Sequence, residues 1–248
     1  TGTIFYVMDM VEGRILWDPC LPDIPKEGRR PIFEAKIATL AQLHNADYEA
    51  IGLGDFGKPG NYFERQISRW TKQYQLSETQ NVDTMNKLIE WLPKNIPNDD
   101  ANSIVHGDFR LDNMVLHPTE PKVAAVLDWE LSTLGHPLGD FTYHLMQWYM
   151  PADGASTQTL EGANFEALNI PTAEEYTRLY CEHTQREGID NMDYYISYNM
   201  FRLAGILQGI VGRVRDGTAS NAHAAAMADR VAPLANVGWH YAQKAGAV

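Results

Sequence analysis

Hydrophobic residues recur every three or four positions through most of this sequence, which is the spacing of an amphipathic helix. In segment 62–74, Phe63, Ile67, Trp70 and Tyr74 share one helical face. The same spacing predicts helices over residues 31–44, 62–74, 82–92, 141–149, 172–186, 194–214 and 222–244. Pro31 is expected to open the first of them, because proline is favoured at the first helical position. The C-terminal half is therefore expected to be helical.

Two short apolar runs break the helical pattern near the middle of the chain. Residues 114–116 are apolar, and residues 123–127 are apolar and include the β-branched Val123 and Val126. Residues 117–122 between them contain the prolines and polar side chains of a turn. This pattern predicts an antiparallel β-hairpin that places Asn113 opposite Asp128. A further strand, followed by a connector, is predicted within residues 3–13.

Composition excludes several classes of function. The chain has 248 residues and a net charge of −12, so it lacks the basic surface that would bind nucleic acid. Its two cysteines, Cys20 and Cys181, do not have the spacing of a metal site or a disulfide framework. No apolar run is long enough to span a membrane, and no signal peptide opens the chain. We therefore expect a cytoplasmic protein without membrane association, whose oligomeric state is open.

The candidate chemistry lies at the predicted hairpin. Side chains directly opposite each other on paired strands have Cβ atoms ~4.5–5.5 Å apart. The Asn113 amide oxygen and the Asp128 carboxylate could then bind one Mg²⁺ ion, which prefers oxygen ligands. Asp108, in the loop before the first strand, could act as a base beside the metal. This is the layout that phosphoryl transfer requires.

The motifs resemble those of a known family. Protein kinases carry H-R-D-x-x-x-x-N and then D-F-G. Here His106-Gly107-Asp108 precedes Asn113 at the same spacing, and Asp128-Trp129-Glu130 replaces D-F-G. These replacements resemble the aminoglycoside phosphotransferase and choline kinase branch of the kinase-like fold. Segment 60–70 is similar to the kinase-like domain fused to some acyl-CoA dehydrogenases.

The resemblance implies an α+β protein kinase-like fold. Residues 14–248 would form the helical C-terminal lobe with the catalytic hairpin, and residues 1–13 would supply the last N-lobe strand and the hinge. Most of the N-terminal lobe would then lie outside this chain, which we expect to be inactive or severely impaired alone. The G-x-G-x-x-G match at residues 52–57 follows a predicted helix instead of a strand, so it predicts a loop and no phosphate site.

The resemblance also implies roles for individual residues. The main chain of Asp9, Met10 and Val11 would contact the adenine. Asp140 would accept hydrogen bonds that brace the catalytic loop, with an N-cap of helix 141–149 as its alternative or additional role. His106 would pack behind that loop as structural support.

Arg110 has two open interpretations, since it could contact substrate or pair with a nearby acid. The expected reaction moves the γ-phosphoryl group of ATP to a hydroxyl of a small molecule. Asp108 accepts the proton, and Asn113 and Asp128 hold Mg²⁺. A small acceptor is favoured because only residues 129–139 separate Asp128 from Asp140, and no A-P-E motif follows. A hydroxylated acyl compound is one candidate acceptor. An inactive nucleotide- or ligand-binding module is the alternative function, and a metal-dependent hydrolase is a weaker one.

Overall fold

The computed structural model of the protein describes residues 7–152, 159–218 and 224–248. Helices occupy most of this part of the chain: α1 Lys26–His44, α2 Tyr62–Ser77, α3 Asp83–Trp91, α4 Pro137–Leu145, α5 Phe165–Leu168, α6 Ala173–Thr184, α7 Met192–Arg215 and α8 Ala228–Lys244. The strands are short: β1 Ser103–Val105, β2 Met114–Leu116, β3 Val123–Val126 and β4 Thr133–Gly135. Single 3₁₀ turns lie at Leu92–Lys94, Leu111–Asn113, Trp129–Leu131, Met146–Trp148 and Ala224–Met227.

The helical pattern is confirmed, although several helices begin or end at other residues than predicted. Helix α1 begins at Lys26, and Pro31 lies inside it, so the predicted start at Pro31 is wrong. The turn begins earlier because Gly28 N–H donates to Pro25 O, and the buried face already includes Ile32 and Phe33. Helix α6 begins as predicted, with Thr172 and Glu175 forming a reciprocal capping box.

Helix α4 also begins before its predicted start, and this changes the position of Asp140. The N-cap is His136, whose Nδ1 accepts a hydrogen bond from Leu138 N–H, and Pro137 occupies the first helical position. Asp140 therefore lies inside the first turn of a fully buried helix. The alternative reading of Asp140 as an N-cap is wrong, and its carboxylate is directed elsewhere.

The predicted hairpin is confirmed, although its register differs. Strands β2 and β3 are antiparallel, with Met114 opposite Val126. Asn113 O accepts a hydrogen bond from Leu127 N–H, so Asn113 is paired with Leu127 and not with Asp128. Asp128 follows one residue later in a left-handed conformation, with φ of 64°. The second sheet, β1 paired antiparallel with β4, was not predicted, because β4 has only three residues.

The main core forms where α7 packs against α2, α4 and α8. The Phe63 ring of α2 stacks on Tyr195 at 5.3 Å and meets Tyr198 edge-on at 5.0 Å. Each aromatic pair of this kind contributes about 0.5–1.5 kcal/mol beyond its burial. The two small sheets lie beside this helical core, so the loops after β1 and β3 are held against rigid elements.

The remaining predicted segments include one strand that is not formed within the described residues, one loop that is formed, and two segments that lie partly outside those residues. Of the strand expected within residues 3–13, residues 7–12 have no regular secondary structure, and the chain joins the fold at Arg14, which bridges to Leu116. Residues 52–57 form an irregular loop, as predicted. Parts of the predicted loop 151–164 and of helix 222–244 lie outside the described residues, and α8 begins at Ala228.

Candidate active site

The loop after β1 is held by the carboxylate of Asp140. Its Oδ2 accepts a hydrogen bond from His106 N–H at 2.7 Å, and its Oδ1 accepts one from Gly107 N–H at 2.9 Å. Burial by itself raises the pKa of this carboxyl group, but the hydrogen bonds from His44 and from the two loop amides outweigh it and hold the pKa below its usual value. Asp140 is therefore an ionised acceptor fixed beside residues 106 and 107.

His106 connects the loop after β1 to the loop after β3. Its Nδ1 accepts a hydrogen bond from Asp108 N–H at 3.2 Å, and its Nε2 lies 2.8 Å from Leu127 O. Because the carbonyl can only accept, we assign the proton to Nε2. The side chain is fully buried, so His106 lies behind the two loops. It contacts Asp108 itself and Leu127, the residue before Asp128.

Asp108 and Asn113 are in direct contact. Asn113 Nδ2 donates to the Asp108 backbone carbonyl at 2.9 Å and to Asp108 Oδ2 at 3.0 Å. The other carboxylate oxygen, Oδ1, lies 3.2 Å from Arg110 Nε, and Arg110 Nη2 lies 2.8 Å from Asp112 Oδ2. Of the two interpretations of Arg110, the structure shows the pairing with acids, while a contact with substrate stays a prediction.

Asp128 lies at the end of the hairpin, between β3 and the 3₁₀ turn Trp129–Leu131. Its left-handed backbone is uncommon for a residue with a side chain and is found mainly at turns and functional sites. Within the described residues its carboxylate makes no hydrogen bond or ion pair. The neighbouring Trp129 ring packs 4.9 Å from the His106 ring, which fixes this turn against the loop that carries Asp108.

A cavity of about 430 Å³ opens beside Asp108. Its polar lining includes Asp108, Arg110, Tyr143 and Arg230. Burial raises the pKa of the Tyr143 hydroxyl, and the negative charge of Asp108 raises it further. The opposite lining is apolar and comes largely from α7: Met150, Leu203, Ile206, Leu207, Ile210 and Met227. The cavity therefore has a polar end at the loop and an apolar body.

Sequence reasoning missed four buried polar residues near this site. His44 Nε2 lies 3.2 Å from Asp140 Oδ2, Arg202 donates to Gly107 O, and His144 Nδ1 lies 3.1 Å from Phe109 O. The fourth is Lys36, which is fully buried, with Nζ 4.4 Å from the centre of the Phe33 ring. The sequence shows only that a charged or polar residue lies on an otherwise apolar helical face. This pattern does not identify the group that the residue contacts.

Two electrostatic effects of burial accompany these residues. Burial lowers the pKa of Lys36 to about 7, against a smaller opposing effect of Asp112. Burial, with the positive charge of Lys36, also holds the pKa of His144 well below its ordinary value. His144 is therefore neutral, which suits its contacts with Phe109 O and the Tyr176 hydroxyl.

The predicted hinge residues are the least enclosed part of the candidate site. Asp9, Met10 and Val11 are exposed, and their main-chain groups make no hydrogen bond to other described residues. The predicted contact with adenine is neither supported nor contradicted by this geometry and stays a prediction, as does the domain boundary at residue 13.

A helical lobe with two paired loops, a hairpin and an Asp–Asn pair defines the protein kinase-like class of folds. Comparison with known proteins gives the family. A profile described as "Phosphotransferase enzyme family" (APH) matches residues 1–180. The chain belongs to this phosphotransferase family, which confirms the resemblance drawn from its motifs.

Individual relatives and solved structures are similar to this chain in sequence or in fold. Acyl-CoA dehydrogenase family member 10 of Mus musculus is 41% identical over 245 residues, covering 99% of this chain and 23% of that protein. The crystal structure of a candidate aminoglycoside phosphotransferase from Ralstonia eutropha JMP134 matches with 51% identity and a TM-score of 0.91, covering 96% of this chain and 72% of that one. A spectinomycin phosphotransferase complexed with ADP and spectinomycin matches at 12% identity and a TM-score of 0.57, with 94% and 70% covered, which shows the fold alone.

Three further findings concern the extent of the chain and its described residues. The chain spans about a quarter of the mouse relative's length, 23%. Among the described residues, none of the helices has both the length and the apolar character needed to cross a bilayer. The same residues contain no cluster of three or more histidine, cysteine, aspartate or glutamate side chains arranged to hold a metal ion.

Proposed function

We propose that this chain carries the helical lobe of an ATP-dependent phosphotransferase that moves the γ-phosphoryl group to a hydroxyl of a small molecule. Asp108 orients the hydroxyl and accepts its proton, Asn113 and Asp128 hold Mg²⁺, and the main chain of residues 9–11 contacts the adenine. His106 and Asp140 support the loop that carries Asp108. These assignments combine the kinase-like family with the contacts of the described residues.

The observation that carries the proposal is the contact between Asp108 and Asn113 at the polar end of the cavity. Asn113 donates to Asp108 Oδ2 at 3.0 Å, while Asp108 itself lines the cavity. A hydroxyl bound in this cavity would therefore meet the carboxylate directly. Because the loop is fixed by Asp140 and His106, little rearrangement is needed to hold a nucleophile in line for transfer.

The donor set fits a magnesium ion that is shared with the nucleotide. The Asn113 amide nitrogen faces Asp108, so its oxygen is left for a cation. The Asp128 carboxylate acts on Arg110 through its charge. Mg²⁺ usually takes one or two protein oxygens together with phosphates and water, which agrees with the absence of a larger ligand cluster in that part of the chain. When bound, Mg²⁺ neutralises charge on the β- and γ-phosphates.

The cavity supports a particular kind of acceptor. Apolar side chains form most of its body, while Asp108, Asp112 and Glu130 line it together with Arg110 and Arg230. An aminoglycoside is a polar polycation, for which the apolar wall is a poor match. The lining suits an acceptor that carries a hydroxyl next to an apolar segment. The acyl chemistry in the mouse relative's name agrees with such an acceptor.

Calorimetry with ATP, in the presence and absence of Mg²⁺, tests the proposal on the full-length protein. We expect binding that requires Mg²⁺ and turnover that disappears in Asp128→Ala. The matched control is Asp55→Ala, which removes a carboxylate from the exposed loop at residues 52–57 and should behave like the unmodified protein.

Two outcomes would alter the assignment. Normal turnover in Asp128→Ala would remove the metal role from Asp128. Binding of Mg²⁺ and ATP without transfer to any acceptor or to water would favour the alternative, a kinase-like binding module.

A further inference from the structure

Arg202, in the middle of α7, is a buried arginine directed at the catalytic loop. Its side chain is almost fully buried, and its Nη2 donates to the backbone carbonyl of Gly107. The guanidinium carbon lies 4.3 Å from the centre of the Tyr143 ring and 5.6 Å from that of Trp70. Tyr143 lines the same cavity as Asp108. Two aromatic rings thus pack on the guanidinium group, and its Nη2 contacts the loop.

This burial is not explained by stability. An arginine stays charged in proteins, and its Nε and Nη1 have no hydrogen-bond partner within the described residues. Enclosing a charge with so few hydrogen bonds is costly, and the nearby Asp140 carboxylate offsets part of this cost by its charge. The aromatic rings offset only part of this cost, since a cation–π contact contributes about 0.5–2 kcal/mol.

Gly107 is the residue through which Arg202 can act. It has a φ of 84°, and a Cβ atom there would lie 2.7 Å from Leu131 O, so both the backbone conformation and the space require glycine. Its N–H donates to Asp140 in α4, and its carbonyl accepts from Arg202 in α7. The two peptide groups of Gly107 are therefore each held by a buried helix, the one before it by α4 and the one that leads into Asp108 by α7.

We propose that Arg202 is a positioning residue for Asp108, which fixes the peptide plane between Gly107 and Asp108 and thereby the direction of the carboxylate. This rests on the proposed function, because it is Asp108 whose placement matters. The middle position of the loop motif, which is arginine in protein kinases, is Gly107 here. The arginine that contacts this loop from behind comes instead from a helix 95 positions later.

The test uses the full-length protein with Arg202→Met, Arg202→Lys and the control Arg213→Met, an exposed arginine near the end of the same helix. The readouts are the Kd and KM for ATP with Mg²⁺, ADP release with water as acceptor, and the unfolding temperature. In Arg202→Met we expect kcat to fall about 10–100-fold, as when an outer partner of a catalytic group is lost. Its Kd and KM for ATP should stay within about threefold of the original values. Arg202→Lys should recover part of kcat, and Arg213→Met should match the unmodified protein.

Unfolding separates positioning from a merely structural role. Arg202→Met should unfold within a few degrees of the original temperature, because the removed cost of burying the charge is set against the loss of the donor to Gly107 O and of the attraction to Asp140. Unchanged kcat in this variant would overturn the proposal. A loss of kcat that is matched by loss of ATP binding and by a lower unfolding temperature would overturn it too.

Hydrogen exchange of residues 104–110 gives a readout that does not depend on activity. These amides include His106 N–H and Gly107 N–H, which Asp140 holds. We expect exchange at least about tenfold faster in Arg202→Met and unchanged in Arg213→Met. If the unmodified protein fails to bind ATP, the proposed function fails while this measurement still decides whether Arg202 holds the loop. Equal exchange in all variants would show that it does not.

Discussion

The imidazole of His44 and the carboxylate of Asp140 lie 3.2 Å apart, almost fully buried, although the two residues are 96 positions apart in the chain. An ionised carboxylate only accepts hydrogen bonds, so we assign the proton of this pair to His44 Nε2. His44 Nδ1 then accepts from the Tyr180 hydroxyl at 2.7 Å. A continuous series of hydrogen bonds thus runs from α6 through α1 and α4 to the loop that carries Asp108.

Replacing His44 should weaken this series at its centre. In His44→Phe the Asp140 carboxylate loses a buried donor, which we expect to lower the free energy of unfolding by about 1–3 kcal/mol. Denaturant titration measures this loss. The control is Tyr180→Phe, which removes only the outer hydrogen bond and should cost about 1 kcal/mol. Equal stability of the two variants would mean that the contact between His44 and Asp140 contributes little.

Asp140 should make stability dependent on pH in the acid range. Its pKa in the folded protein lies below the ordinary value of 3.8. The stabilisation from its ionised form is therefore complete above the unfolded pKa and is lost as the pH falls through the folded pKa. We expect the stability difference between the unmodified protein and Asp140→Asn to be constant near neutral pH and to shrink below about pH 4. A difference that does not change on acidification would contradict this, and denaturant titrations at several pH values decide it.

Lys36 should also make stability rise with pH, but from about neutral pH upward and because a cost is removed. Its pKa is lowered to about 7 in the folded protein, against 10.5 ordinarily, because of burial. The unfolded chain therefore binds the proton more tightly between these values, and the cost of burying the lysine decreases as the pH rises from about 7. We expect Lys36→Met to stabilise the protein by about 1–4 kcal/mol at pH 6.

The stabilisation by Lys36→Met should be smaller at pH 9 than at pH 6. Denaturant unfolding of both proteins at the two pH values measures this difference. Lys72→Met, at an exposed position of α2, is the control and should show neither effect. Destabilisation by Lys36→Met at both pH values would indicate that the charge of Lys36 supports Asp112 strongly enough to offset its burial.

Gly107 and Gly52 allow backbone strain to be separated from steric overlap. Both have positive φ, of 84° and 80°, but a Cβ atom at Gly107 would meet Leu131, while at Gly52 nothing lies within 4 Å. In Gly52→Ala the free energy of unfolding should therefore fall only by about 1 kcal/mol, the conformational cost of a side chain at positive φ. Gly107→Ala should lose more stability and, because the loop shifts, most of the turnover. Thermal unfolding and ADP release measure the two effects, and equal losses in both variants would contradict the steric argument.

Much of the helical lobe could be read from the sequence, because the spacing of apolar residues is a local property. The face of α2 with Phe63, Ile67, Trp70 and Tyr74 is buried as the pattern predicts. The hairpin was also predictable from its two apolar runs and its turn. Strand β4 was not, since three residues contain too little pattern and its place is decided by pairing with β1. The exact register, which pairs Asn113 with Leu127, depends on the turn geometry and the 3₁₀ turn before β2.

The sequence by itself determined the class of fold and the principal polar residues of the site, since motif spacing fixes which of them fall in the same two loops. Only the tertiary structure decided how these residues are held. His44, Tyr180 and Arg202 reach the site from three helices, and neither their residue types nor their helical positions indicate a partner. The physical reason is that a hydrogen bond between distant segments depends on how whole helices pack. Helix packing is set by the sum of many apolar contacts, and no local pattern encodes that sum.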